Sequence, residues 1–147
     1  MTDANASAFQ VLEDKIAQYR IRLADVADDV VDDVAKIIDE EQHRTMAAGQ
    51  DAYGKPWQSK KDGKSFRFAL PYDVTTGAIG RVIITRIRTR HTVLHHLGVA
   101  KGYKGGGREQ GAPIPARQVI PVGGKIPPRW SERIKERVLR AFQEATS

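Results

Sequence analysis

Three histidines, His91, His95 and His96, lie within six residues, with His91 and His95 four apart. Imidazole ligates metals and moves protons near neutral pH, so the cluster poses a metal-site or general-base question. Its surroundings argue against both. No acidic residue lies between Asp73 and Glu109, while Arg81, Arg86, Arg88, Arg90, Lys101, Lys104 and Arg108 crowd the same stretch. A zinc site there would lack a local carboxylate or thiolate, and histidines that pack or hydrogen-bond at a strand end are expected instead. The run Gly105-Gly106-Gly107 offers bare N–H groups to an anion. However, Lys104 precedes the run, and Gly124-Lys125 is followed by Ile126 where a phosphate loop needs Ser or Thr. The paired carboxylates Asp28-Asp29, Asp32-Asp33 and Glu40-Glu41 read as a solvated or partner-facing surface. No Ser-His-Asp arrangement is recognisable from spacing. The sequence assigns no catalytic residue, metal or cofactor, and a non-enzymatic role is expected.

The residues that must position these groups belong to a chain of 147, with 24 Lys+Arg, 18 Asp+Glu and no cysteine. That length fits one domain, or one domain with an arm. Without cysteine there are no disulfides or thiolate zinc sites, and the first ten residues lack the basic and apolar regions of a secretory leader, so intracellular synthesis is expected. No apolar run approaches the ~18 residues of a membrane span. The charge is strongly asymmetric. Residues 1–41 carry eleven acids against four bases, and the remainder seven acids against twenty bases. An acidic arm is joined to a basic body.

All glycines lie at or after Gly49 and all prolines at or after Pro56, which leaves residues 8–47 free to form one long helix. Leu12, Ile16, Tyr19, Leu23, Val26, Val30, Val34 and Ile37 step by three or four, close to a heptad seam. Such a helix is roughly 60 Å long, against roughly 38 Å for the diameter of a compact chain of this size. Its C-terminal half is expected to lie on the body and its N-terminal half to meet another subunit. Residues 49–77 read as irregular, anchored by Trp57 and Phe66. Residues 79–97 read as a β-hairpin with its turn near Thr89 to His91, since β-branched residues alternate with basic ones. Residues 98–112 read as a flexible glycine-rich loop, and 114–122 as a proline-broken edge strand. A last helix is expected over 131–145, capped by Ser131, with Ile134, Val138, Leu139 and Phe142 as its apolar face. The fold class is α+β, a small, mostly antiparallel sheet packed by a long N-terminal and a short C-terminal helix.

In chain order, Gly54-Lys55-Pro56-Trp57, Thr76-Gly77, His95-His96-Leu97-Gly98 and Ile114-Pro115-Ala116-Arg117 precede the terminal helix. This series resembles the tailed-phage virion morphogenesis family, whose relatives include tail-completion and neck proteins. The resemblance spans about residues 8–145, and departs from the family pattern at Arg81 and at Gln118-Val119. It implies a structural virion protein, assembled in the host cytoplasm. Its ring, six copies favoured, would stand at the head-tail junction or tail terminus against neck, connector or tail-tube proteins and around double-stranded DNA. Trp57, Gly77, His96, Gly98, Pro115 and Arg117 are the family-motif and candidate assembly residues. Arg117 is expected to pair with a carboxylate of a neighbour, so that losing it weakens assembly more than folding.

The alternative is a small basic nucleic-acid-binding protein using Arg81, Arg86, Arg88 and Arg90 with Lys101, Lys104 and Arg108. Charge with interleaved aromatics can neutralise phosphates and stack bases, although no recognition motif accompanies it.

Overall fold

The computed structural model describes the backbone of residues 2–68, 73–100 and 113–147, with side chains from residue 7 onward. The glycine-rich residues 101–112, with Lys101, Lys104 and Arg108, lie outside the described residues.

A single helix, α1, runs over Thr2–Ala48, roughly 70 Å at 1.5 Å per residue. Gly49 stops it at φ 72°. The Gly49 N–H reaches Met46 O at 3.2 Å and the Gln50 N–H reaches Thr45 O at 2.9 Å, the two bonds of a Schellman motif. Only glycine fits there, since a Cβ would lie 2.6 Å from Phe66 O.

Two strands follow, β1 (Val74–Ile79) and β2 (Val82–Ile87), paired antiparallel with Thr76 opposite Thr85 and Gly77 opposite Ile84. The turn is Gly80-Arg81, with Gly80 at φ 58°, which suits a two-residue hairpin loop with glycine first. The hairpin therefore lies earlier than the sequence predicts. Thr89 to His91 do not turn between strands; they open a helix, α2 (Arg90–Leu97), whose N-cap Thr89 accepts a hydrogen bond from the Thr92 N–H. Local capping outweighs the β-branched composition on which the strand assignment rested.

The last helix, α3 (Pro128–Thr146), begins three residues before the expected start. Pro128 suits the first helical turn, where its missing N–H costs nothing, so Ser131 is inside the helix, donating to Pro127 O at 3.0 Å. Residues 114–122 do not form a strand. Apart from a bridge between Val99 and Ile114, their donors turn to α2: Arg117 N–H to His95 O at 2.6 Å and Val119 N–H to His96 Nδ1 at 3.1 Å.

The core is small, built of Met46, Trp57, Phe68, Val74 and Val119 with Phe66, Ile87 and Ile120 against it. One face of the hairpin lies on α1. Thr76 donates its N–H to Asp39 Oδ1 and its hydroxyl to Gln42 Oε1, both at 2.7 Å, and His43 Nε2 donates to Val74 O at 2.7 Å. α3 runs antiparallel along α1, with Arg137 on Asp33, Arg133 on Glu40 and Glu41, and Arg129 on Glu41. The fold is α+β, with a long N-terminal helix, a two-stranded antiparallel sheet and a short C-terminal helix.

Candidate functional site

Five of the six motif residues meet at one place, a clasp between α2 and residues 113–119. Trp57 Nε1 donates to Gln118 O at 3.2 Å. His96 Nδ1 accepts the Val119 N–H, which fixes the ring's proton on Nε2, and burial lowers its pKa below the usual imidazole value. Gly98, at φ 72°, packs so closely that a Cβ would lie 2.9 Å from Ala116 N. Pro115 lines a groove of about 440 Å³ beside Ile114, rimmed by Lys60 and Lys61.

Arg117 is only 4% exposed. Its Nε and Nη2 donate to Gln58 O at 3.3 and 3.2 Å, its Nη1 donates to His95 Nδ1 at 3.0 Å, and its guanidinium carbon lies 3.9 Å from the centre of the Phe66 ring. The expectation that it reaches out to a neighbour's carboxylate is corrected. A buried guanidinium needs its donors satisfied at once, and here the chain's own carbonyl, imidazole and ring do so.

Gly77 stands apart, in β1, with nothing within 4 Å of where a Cβ would be. The histidines are not at a strand end but on one helix. The His95 ring lies 4.7 Å from Phe66 and 4.6 Å from His91, inside an aromatic cluster with Phe68 and Trp57. Among the described residues no three metal-ligating side chains converge, and no described helix is long and apolar enough to cross a membrane.

The candidate phosphate-facing arginines divide. Arg81, at the hairpin turn, binds Asp28 at 2.7 Å, and that hydrogen bond raises its pKa while lowering that of Asp28. Arg86 and Arg88 are exposed at the far end of β2, and Arg90 opens α2.

The sharpest electrostatic site corrects the expectation that the Glu40-Glu41 pair is a solvated or partner-facing surface, because Glu41 is buried against arginines of its own chain. Glu41, with a side chain 2% exposed, receives Arg44 at 2.9 Å, Arg129 at 3.0 Å and Arg133 at 2.9 Å. Burial pushes its pKa up most, but the combined hydrogen bonds from Arg129, Arg44 and Arg133 outweigh it and the net shift is downward. Arg129, Arg133 and Arg137, four apart, were a legible signal for a helix facing acids.

Among the described residues, two helices, α1 and α3, each leave an apolar stripe open. From Ser7 to Asp25 every residue of α1 is exposed, and the seam residues Leu12, Ile16, Tyr19 and Leu23, with Phe9 extending the seam one step towards the N-terminus, are 42–68% exposed. The same seam is buried at Val30, where the body begins. The arginine pairs also fix the rotation of α3. It docks through Trp130 and Ala141, so Val138, Leu139 and Phe142, expected in the core, are 41–61% exposed. No family model, curated protein or solved structure matches the chain.

Proposed function

We propose that this chain is a structural subunit of a tailed bacteriophage or phage-like particle, forming a homo-oligomeric ring at the head-tail junction or tail terminus. The observation that carries this reading is the α1 overhang. About 36 Å of helix extends past the hairpin and α3 with its apolar seam in water. A helix with an uncovered apolar stripe is stable chiefly when that stripe packs on something, and exposed patches of this kind mark interaction sites. The order of motif residues described above supplies the particle. The buried residues of those motifs hold the fold, and the exposed helices supply the contacts. Neck, connector or tail-tube proteins are the proposed neighbours, with double-stranded DNA in the channel and the virion as the location.

Native mass spectrometry over a concentration series at near-physiological salt tests the reading. A discrete closed oligomer, six copies favoured, is expected. A strict monomer that binds duplex DNA with steep salt dependence favours the second reading, a small nucleic-acid-binding protein, for which the exposed Arg86 and Arg88 speak.

A further inference from the structure

We infer that the α1 overhang of one copy lies on the outer face of α3 of the next, so that assembly runs through a single head-to-tail contact between two unlike surfaces. This rests on the assembly reading above and names its interface.

Among the described residues, two helix faces carry an uncovered apolar stripe, and they are different surfaces. One is the seam Phe9, Leu12, Ile16, Tyr19 and Leu23; the other is Val138, Leu139 and Phe142 on α3. Packing the seam against the seam of a second copy leaves the α3 stripe in water. In a parallel pair it also sets Lys15 against Arg20 of the second copy, a like-charge contact at the positions that set partner choice in paired helices. Packing the seam on α3 covers both stripes.

Charge fits this direction. Lys15, Arg20 and Arg22 flank the seam together with Glu13, whereas Glu132 and Glu136 flank the α3 stripe, Glu136 also meeting Arg140 at 3.5 Å, and Lys135, one turn before Leu139, lies in the stripe itself. Inside the chain the polarity is reversed, acids on α1 and arginines on α3, so the overhang of a neighbour does not compete with the α1 half that α3 already holds.

The area is adequate. Covering eight half-exposed apolar side chains removes on the order of 800 Å² from water, and with their polar flanks the contact reaches the ~1,200 Å² of a specific interface. A contact between unlike surfaces leaves one of each free at the ends of any chain of copies, so it propagates until rotation closes it into a ring.

The test uses two full-length variants, Ile16→Asp and Leu139→Asp, each at an exposed position, with circular dichroism and melting temperature confirming the fold. Native mass spectrometry of each variant alone is expected to show monomers, with association weakened about 30-fold or more. Mixed one to one, they are expected to form a heterodimer and nothing larger, because one intact seam meets one intact α3 stripe. Leu139→Asp assembling like the parent overturns the contact and leaves the ring reading standing. A mixture that does not pair, or a parent that stops at a two-fold dimer, also overturns the contact. A parent monomeric at every concentration removes both.

Discussion

Arg117 lies between Gln58, His95 and Phe66, and its loss is a stability change before it is anything else. Arg117→Ala removes the donor on the Gln58 carbonyl and the His95 ring and the packing on Phe66, and buried acceptors stripped of a donor, with lost packing, typically cost about 2 kcal/mol. Urea denaturation of the dilute protein checks this; an unchanged midpoint with assembly lost would restore the partner-facing role. His96 gives the pH dependence. Its folded pKa is lowered by burial, so the unfolded chain takes up the proton first as pH falls. The stability His96 contributes is present above the ordinary imidazole range and is lost as pH drops through about 6.5 and below. His96→Gln, which cannot protonate there, should flatten that part of a stability-against-pH curve.

At the scale of elements, Glu41 decides how α3 sits. Its folded pKa is lowered on balance, so its contribution is present above the normal carboxylate range and is lost as acid takes pH down through the folded value. Glu41→Gln removes the charge that Arg44, Arg129 and Arg133 share, and because those arginines stay partly in water about 1 kcal/mol of destabilisation is expected by thermal or urea melting.

The long helix and the final helix were legible in the sequence, because absent breakers and a three-to-four apolar step are local signals. The hairpin was legible in kind and misplaced in position, because Val93 and Thr92 carry strand-like side chains in a segment that Thr89 caps into a helix. The rotation of α3 was not legible from hydrophobic spacing at all. Val138, Leu139 and Phe142 form the better apolar stripe, and three long-range arginine pairs override it. For the same reason the motif residues could be located but not given roles: whether an arginine faces a neighbour or a carbonyl of its own chain depends on the fold around it.

The whole molecule has an uneven distribution of stability. Backbone hydrogen bonds of α1 near Met46 are sealed by the core, whereas those of residues 7–25 have water on every side. Most helical stability in proteins comes from packing of an apolar face, which this segment lacks, so amide hydrogen exchange in the dilute chain should be fast over residues 7–25 and slow over 35–48. If copies associate as proposed, the fast segment should gain protection at high concentration and the slow one should not. Uniform protection of α1 in a monomer would mean that the overhang needs no partner.

Because α1 is unbroken from body to tip, its length also works as a phase. Each added residue advances the tip by about 1.5 Å and turns it by about 100°. Seven residues inserted near Asp25 would move the seam outward by about 10 Å and return it close to its original bearing. Two would displace it only about 3 Å but point it nearly backwards. The permitted lengths of this rod are therefore discrete, and the spacing between whatever it joins can change only in steps of whole repeats.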